Sequence, residues 1–213
     1  MVIYLHGFAS GVASTKAAFL RGKLRERGID FRSPDLNLPD FSTLTVTRML
    51  DQTQALIDTA DAPVTLIGSS LGGFVAVNAA ARWPDRVERL ALLAPALDFA
   101  SARMRRMGDV ALEDWAANGS LTVFHYGYGR LMPIHYELYL DARRYDAWNA
   151  RVDMPAIVFQ GRRDAVVDPS MVAHWAATRS NVALHMLDDD HQLGTSLPVI
   201  WQQLEGFLGL SHR

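Results

Sequence analysis

Val64-Thr65-Leu66-Ile67-Gly68-Ser69-Ser70-Leu71-Gly72-Gly73 is an apolar, β-branched run that breaks into glycine and serine. Phe74-Val75-Ala76-Val77-Asn78-Ala79-Ala80-Ala81 follows and reads as a helix. Strand, sharp turn and helix in that order predict a unit of a parallel sheet with a serine at the tip of the turn. Gly68, Ser70 and Gly72 match G-x-S-x-G, and the register is unique, because for Ser69 the preceding glycine would fall on Ile67. The glycines permit close backbone approach and unusual dihedrals. The motif alone also fits an ordinary turn rich in small residues; its partners elsewhere in the chain make it specific.

Three further stretches end in reactive residue types. Val2-Ile3-Tyr4-Leu5 is a buried-type strand that runs into His6-Gly7-Phe8. Ala156-Ile157-Val158-Phe159-Gln160 is another apolar strand and ends in Gly161-Arg162-Arg163-Asp164. Val182-Ala183-Leu184-His185-Met186-Leu187 leads to Asp188-Asp189-Asp190-His191. Ser70, Asp164 and His191 thus each lie just past the C-terminal end of an expected strand, where open parallel sheets bind their ligands. A serine hydroxyl becomes a nucleophile when an imidazole takes its proton, and a carboxylate fixes and stabilises that imidazole. The chain order serine, acid, histidine differs from that of chymotrypsin and of subtilisin.

On these residues the sequence resembles the α/β-hydrolase family. More narrowly, Tyr4-Leu5-His6-Gly7-Phe8-Ala9-Ser10, Gly68-Ser69-Ser70-Leu71-Gly72-Gly73 and Phe207-Leu208-Gly209-Leu210 resemble the compact bacterial YqiA-like esterases. The resemblance implies a three-layer α/β-hydrolase fold with strand order 2-1-3-4-5-6. It also implies ester hydrolysis without a cofactor, with Ser70 as nucleophile, Asp164 as acid and His191 as base. The oxyanion donors it implies are the backbone N–H groups of Phe8 and Leu71. Larger members carry additional strands before the His-Gly turn, so a trimmed, six-stranded, mostly parallel sheet with helices on both faces is expected here. Thioesterase, amidase or acyltransferase chemistry on the same triad is an alternative, as is a non-catalytic binding protein of this fold.

Length and composition fit one α/β domain over residues 1–213. A net charge of −2 argues against a nucleic-acid partner. The absence of cysteine removes disulfides, thiolate metal sites and cysteine nucleophiles. The apolar N-terminal stretch has no basic region before it and is interrupted at His6-Gly7, so it reads as a strand and not as a signal peptide. No apolar run reaches membrane-spanning length, and the cytoplasm is the expected location. The expected partner is a small acyl ester; oligomeric state is not legible.

Strands are expected near residues 2–5, 29–33, 64–68, 89–94, 155–160 and 183–187. Helices are expected from Ser14-Thr15 to Gly28, over about 43–60, from the serine turn to Trp83-Pro84, and from Pro169 and Ser196. Leu20, Leu24 and Arg27 give the first helix an amphipathic pattern with a solvated basic face. Residues 98–150 break the alternation and carry many aromatics, among them Trp115, Phe124, His125, Tyr126 and Tyr128. They predict a cap insertion at the catalytic end with a hairpin around 122–134. Trp115, His125 and Tyr128 are the expected substrate contacts, most of the other aromatics being local core. Asp168 is the rival acid, but Asp168-Pro169 reads as a helix cap and first helical residue. Asp188–His191 reads as a solvated turn in preference to a metal cluster, His185 as structural, and His6 as shaping the loop after the first strand. Arg103, Arg105 and Arg106 fit an exposed basic face or an anionic substrate.

Overall fold

The structure, a computed structural model, describes residues 1–99 and 109–210. Arg103, Arg105 and Arg106 lie outside the described residues. Six strands form the main sheet: β1 (Val2–Leu5), β2 (Phe31–Arg32), β3 (Val64–Ser69), β4 (Val87–Leu93), β7 (Ala156–Gly161) and β8 (Val182–Leu187). Their order is β2-β1-β3-β4-β7-β8. Every pairing in this sheet is parallel. Counted along the sheet strands alone, this is the expected order 2-1-3-4-5-6.

The near-continuous apolar character of the central strands follows from burial on both faces. Alternate residues point to opposite sides of a strand. Ile3, Leu5, Leu66, Leu90, Leu92 and Val158 pack on one side with α2 (Val46–Asp58), α3 (Leu71–Arg82) and α6 (Pro169–Ala177). Val2, Tyr4, Ile67, Ala91, Leu93, Ile157 and Phe159 pack on the other with α1 (Thr15–Glu26) and α7 (Leu197–Phe207). His185 stacks on Phe159 in the neighbouring strand, a structural position as expected.

Helix starts follow their caps. The Ser14 side chain accepts from Ala17 N–H and opens α1, and the Asp168 side chain accepts from Ser170 N–H and opens α6. Thr45 caps α2, so that helix begins at Val46, after a short 3₁₀ turn at Phe41–Thr43, and not near residue 43. β2 is shorter than expected: as an edge strand it pairs only through Phe31 and Arg32. The described part of the 98–150 segment contains α4 (Asp109–Asn118), the antiparallel hairpin β5 (Ser120–His125) with β6 (Arg130–His135), and α5 (Glu137–Ala142). The hairpin forms its own two-stranded sheet. Such a hairpin is marginal alone, and here His125 packs edge-on against Phe41 with ring centroids 4.6 Å apart. Asp141 of α5 reaches back to α2, where it accepts from Thr47 N–H at 2.7 Å. Among the described residues no helix is long and apolar enough to cross a membrane.

Candidate active site

Ser70 stands between β3 and α3 with φ 53° and ψ −118°. A positive φ costs a residue bearing Cβ on the order of 1–3 kcal/mol and persists where the surroundings over-determine it. They do so here. Ser70 N–H donates to Leu93 O at 3.0 Å, and Ser70 O accepts from Gly73 N–H at 2.9 Å and Ala96 N–H at 3.1 Å. The flanking glycines are set by contact distance. A Cβ on Gly72 would lie 2.6 Å from the Leu5 carbonyl carbon and 2.7 Å from His6 O. A Cβ on Gly68 would lie 2.6 Å from Gly73 Cα and 2.8 Å from Ala76 Cβ. The helix can rest on β1 and β3 only because both positions lack a side chain.

His191 lies in the loop between β8 and α7. Its Nε2 is 3.1 Å from Ser70 Oγ and its Nδ1 is 2.8 Å from Asp164 Oδ2. An ionised carboxylate can only accept, so Nδ1 carries the proton in this pairing. In the neutral ring Nε2 is then the acceptor, and Ser70 Oγ–H donates to it.

Asp164 is 7% exposed and its oxygens are fully engaged. Oδ1 accepts from Val166 N–H and Val167 N–H, both at 2.8 Å, and Oδ2 also accepts from Gln160 Nε2 at 2.9 Å. Burial pushes this carboxyl up, but the hydrogen bonds from His191, Val167 and Gln160 and the attraction of His191 together outweigh it. The net position is below the ordinary carboxylate value. Asp168 is not brought to His191. It accepts from Ser170 N–H at 2.9 Å and Ser170 Oγ–H at 2.7 Å at the start of α6.

The loop carrying His191 is in part the solvated turn expected for Asp188–His191, with Asp188 and Asp190 exposed, but Asp189 departs from it. Asp189 is buried and accepts from Thr195 Oγ1–H at 2.8 Å and Ser196 N–H at 2.9 Å. Burial raises its carboxyl, and these bonds bring it below the ordinary value. Asp188 instead pairs with Arg163 at the surface. No group of three or more metal-ligating side chains occurs among the described residues.

The loop after β1 runs against the serine, since a Cβ on Gly7 would lie 3.2 Å from Ser70 Cβ. His6 fixes that loop: its Nε2 accepts from Leu36 N–H at 3.0 Å and its Nδ1 lies 2.9 Å from Gly7 O. Phe8 therefore follows directly on the serine contact. Leu71 opens α3, and first-turn N–H groups have no intrahelical acceptor. A cleft of about 1080 Å³ opens over Ser70 and His191. Its lining includes the apolar Phe8, Val123, Phe124, Tyr126, Tyr128 and Val166 and the polar Ser10, Ser14, Lys16, Asp35 and Asn37.

Of the three expected substrate contacts, only Tyr128 lines this cleft, and it is 44% exposed. Trp115 is 3% exposed and is core: its indole N–H donates to Ile134 O at 3.0 Å and its ring meets Tyr136 and Tyr139. His125 is fully buried behind Tyr128, with ring centroids 4.0 Å apart, and its Nδ1 accepts from Tyr128 N–H at 3.1 Å. Both expectations are corrected on that ground, since neither side chain reaches the cleft. Two residues at the site went unread in the sequence. Gln160 looks like any strand residue, yet it donates to Asp164. Lys16 stands one and two turns before Leu20 and Leu24, on the buried face of α1, and its Nζ donates to Gln192 O at 3.0 Å and His191 O at 3.4 Å. Its spacing to Leu20 and Leu24 is a local sign of burial, but its acceptors lie 175 and 176 residues away.

Solved structures share this architecture. Mouse alpha/beta hydrolase domain-containing protein 10 superposes with a TM-score of 0.82 at 20% identity, covering 99% of this chain and 90% of that one. Est1E from Butyrivibrio proteoclasticus, solved with ferulic acid bound, superposes with a TM-score of 0.83 at 20% identity, covering 97% and 87%. Among curated proteins, lipase LipV of Mycobacterium tuberculosis is 36% identical over 89 residues, covering 39% of this chain. That match spans only 34% of the lipase's length. The family described as Uncharacterised protein family (UPF0227) matches residues 1–207. Built on the α/β-hydrolase fold, this chain is a member of the UPF0227 family.

Proposed function

We propose that the chain is a serine hydrolase that cleaves small to medium acyl esters through an acyl-enzyme on Ser70. The observation that carries this reading is the hydrogen-bonded line from Ser70 Oγ to His191 Nε2 and from His191 Nδ1 to Asp164, at 3.1 and 2.8 Å. Ser70 Oγ attacks the ester carbonyl carbon as His191 Nε2 takes its proton. Asp164 keeps the ring in the tautomer that can do so and stabilises the imidazolium. The backbone N–H groups of Phe8 and Leu71 receive the oxyanion. His191 returns the proton to the departing alkoxide, leaving the acyl group on Ser70. Water, deprotonated by the same nitrogen, then attacks the acyl carbon, and the acid leaves as Ser70 regains its proton. The aromatic and aliphatic lining suits an acyl group. Esterase and lipase relatives of this fold agree with the reading, and Est1E makes an aromatic acyl ester a sensible member of the substrate panel.

The test is turnover of p-nitrophenyl esters of graded chain length, with a feruloyl ester beside them, by the wild type and Ser70→Ala. Loss of at least about 10³-fold in Ser70→Ala, with an unchanged melting temperature, is expected. Ser70 should also be the residue labelled by a fluorophosphonate. Full activity in Ser70→Ala with a dead Ser69→Ala would move the nucleophile and overturn the assignment.

A further inference from the structure

We propose that Lys16 is a positioning residue for His191: its side-chain nitrogen ties the backbone carbonyls of His191 and Gln192 to α1 and so holds the imidazole over Ser70. This rests on the serine-hydrolase reading above. Lys16 sits in the first turn of α1 and is only 8% exposed. Its bonds to Gln192 O at 3.0 Å and His191 O at 3.4 Å join the helix after β1 to the loop after β8. The rest of that loop is anchored on either side of the histidine. Asp189 O accepts from Arg163 N–H at 3.0 Å before it. The Asp189 carboxylate holds Thr195 and Ser196 after it. Between those anchors, the carbonyls of His191 and Gln192 turn to Lys16.

The location is costly for an ammonium. It loses hydration, and it stands at the positive end of a helix dipole. Burial pushes Lys16 down from 10.5 to about 8, with Asp164, Asp190 and Asp189 pulling the other way. A filler of this volume would need no charge, and what a lysine adds here is donors aimed at the two carbonyls. The titratable groups facing it are Asp164 from the loop after β7 and Asp189 and Asp190 from the loop after β8, with His191 itself at the loop tip. The facing acids are carboxylates, so Lys16 is the cation among them that loses its charge in mild alkali.

The chain has no cysteine, so Lys16→Cys introduces a single thiol. Alkylation with bromoethylamine rebuilds a lysine-length ammonium, with sulfur in place of one methylene and a lower ammonium pKa. Two readouts are taken on wild type, Lys16→Cys and alkylated Lys16→Cys. They are kcat and KM on p-nitrophenyl acetate from about pH 6 to 10, and amide hydrogen exchange over residues 189–194. Wild-type kcat should fall above about pH 8. Lys16→Cys should lose about 10- to 100-fold in kcat with KM within about two-fold, the scale of a misplaced catalytic group. Its loop amides should exchange faster. Alkylation should restore both, with the alkaline decline displaced to lower pH. Normal kcat in Lys16→Cys overturns the proposal, as does a restored ammonium that recovers no turnover, or a wild-type profile flat through pH 10. If the wild type hydrolyses no ester, the hydrolase reading fails separately. The exchange data then still decide the loop-holding role, and equal exchange in all three proteins overturns it.

Discussion

Replacing Asp164 with asparagine changes one atom at the far end of the hydrogen-bonded line and reverses what that atom can do. Oδ1 receives two backbone N–H groups, from Val166 and Val167, both at 2.8 Å. In Asp164→Asn the amide oxygen must take that side, because an NH₂ there would face two donors. The NH₂ then occupies the Oδ2 place, 2.8 Å from His191 Nδ1 and 2.9 Å from Gln160 Nε2. It can only donate, so Nδ1 has to accept and the ring proton moves to Nε2. That nitrogen can no longer take the proton of Ser70. Gln160 can turn its amide so that its buried, unpartnered Oε1 accepts from the new NH₂, at the loss of its 3.2 Å bond to Gly161 O. Folding therefore loses that bond and the charge-assisted part of the others, about 1–3 kcal/mol. Turnover falls on the order of 10⁴-fold, about 5.5 kcal/mol of transition-state stabilisation. Asp168→Asn is the paired control. Its side chain caps α6 through Ser170, and asparagine caps about as well as aspartate, so turnover should hold. The assay is kcat on the best p-nitrophenyl ester beside the melting temperature of each variant. A dead but stable Asp168→Asn together with an active Asp164→Asn would refute the reasoning.

The same carboxylate sets an acid limit. Its folded-state value lies below the ordinary 3.8. Its stabilisation is therefore present above pH 3.8 and lost as pH falls through the folded value. The melting-temperature gap between wild type and Asp164→Asn should narrow below about pH 4 in thermal melts, and a gap that widens there would contradict this. Gly72→Ala puts a Cβ against the Leu5 and His6 backbone, which cannot swing away as a side chain could. It should cost about 3 kcal/mol or more, near 6–12 °C in melting temperature, and an unchanged melt would refute the contact. Tyr128→Ala should alter the acyl-length profile, as the residue lines the cleft. Trp115→Phe should leave that profile alone and destabilise by about 1–3 kcal/mol through the lost indole bond to Ile134 O and the smaller ring left in the core, read from chain-length-graded kcat/KM and melts.

What the sequence made legible was local chemistry repeated at strand ends. The glycine spacing around Ser70, the apolar strands before Asp164 and His191, and the cap signature of Asp168-Pro169 each depend on a few adjacent residues. The hairpin was legible for the same reason, as turn residues between apolar stretches, whereas the strand order followed only from the family resemblance. Legibility ended where a residue's role is set by a distant neighbour. An aromatic in the 98–150 segment looks alike whether it packs inward, as Trp115 does, or faces the cleft, as Tyr128 does. Lys16 has the spacing of the buried face of α1, one and two turns before Leu20 and Leu24, but the carbonyls it bonds arrive from the β8–α7 loop. Asp189 sat in an acidic run that reads as solvent-facing, until Thr195 and Ser196 turned back onto it.

The absence of a side chain at position 72 links two properties usually treated apart. The spacing between α3 and β1 is one layer-to-layer distance of the domain. It is also the distance that brings the loop after β1, with Gly7 and Phe8, against Ser70. Any drift that loosened this layer would move one half of the proposed catalytic apparatus relative to the other without touching Ser70 or His191. On the proposed reading, reactivity at this corner depends on interlayer spacing. Variants selected for altered melting at residues 5, 6, 68 or 72 would be expected to change rate in step.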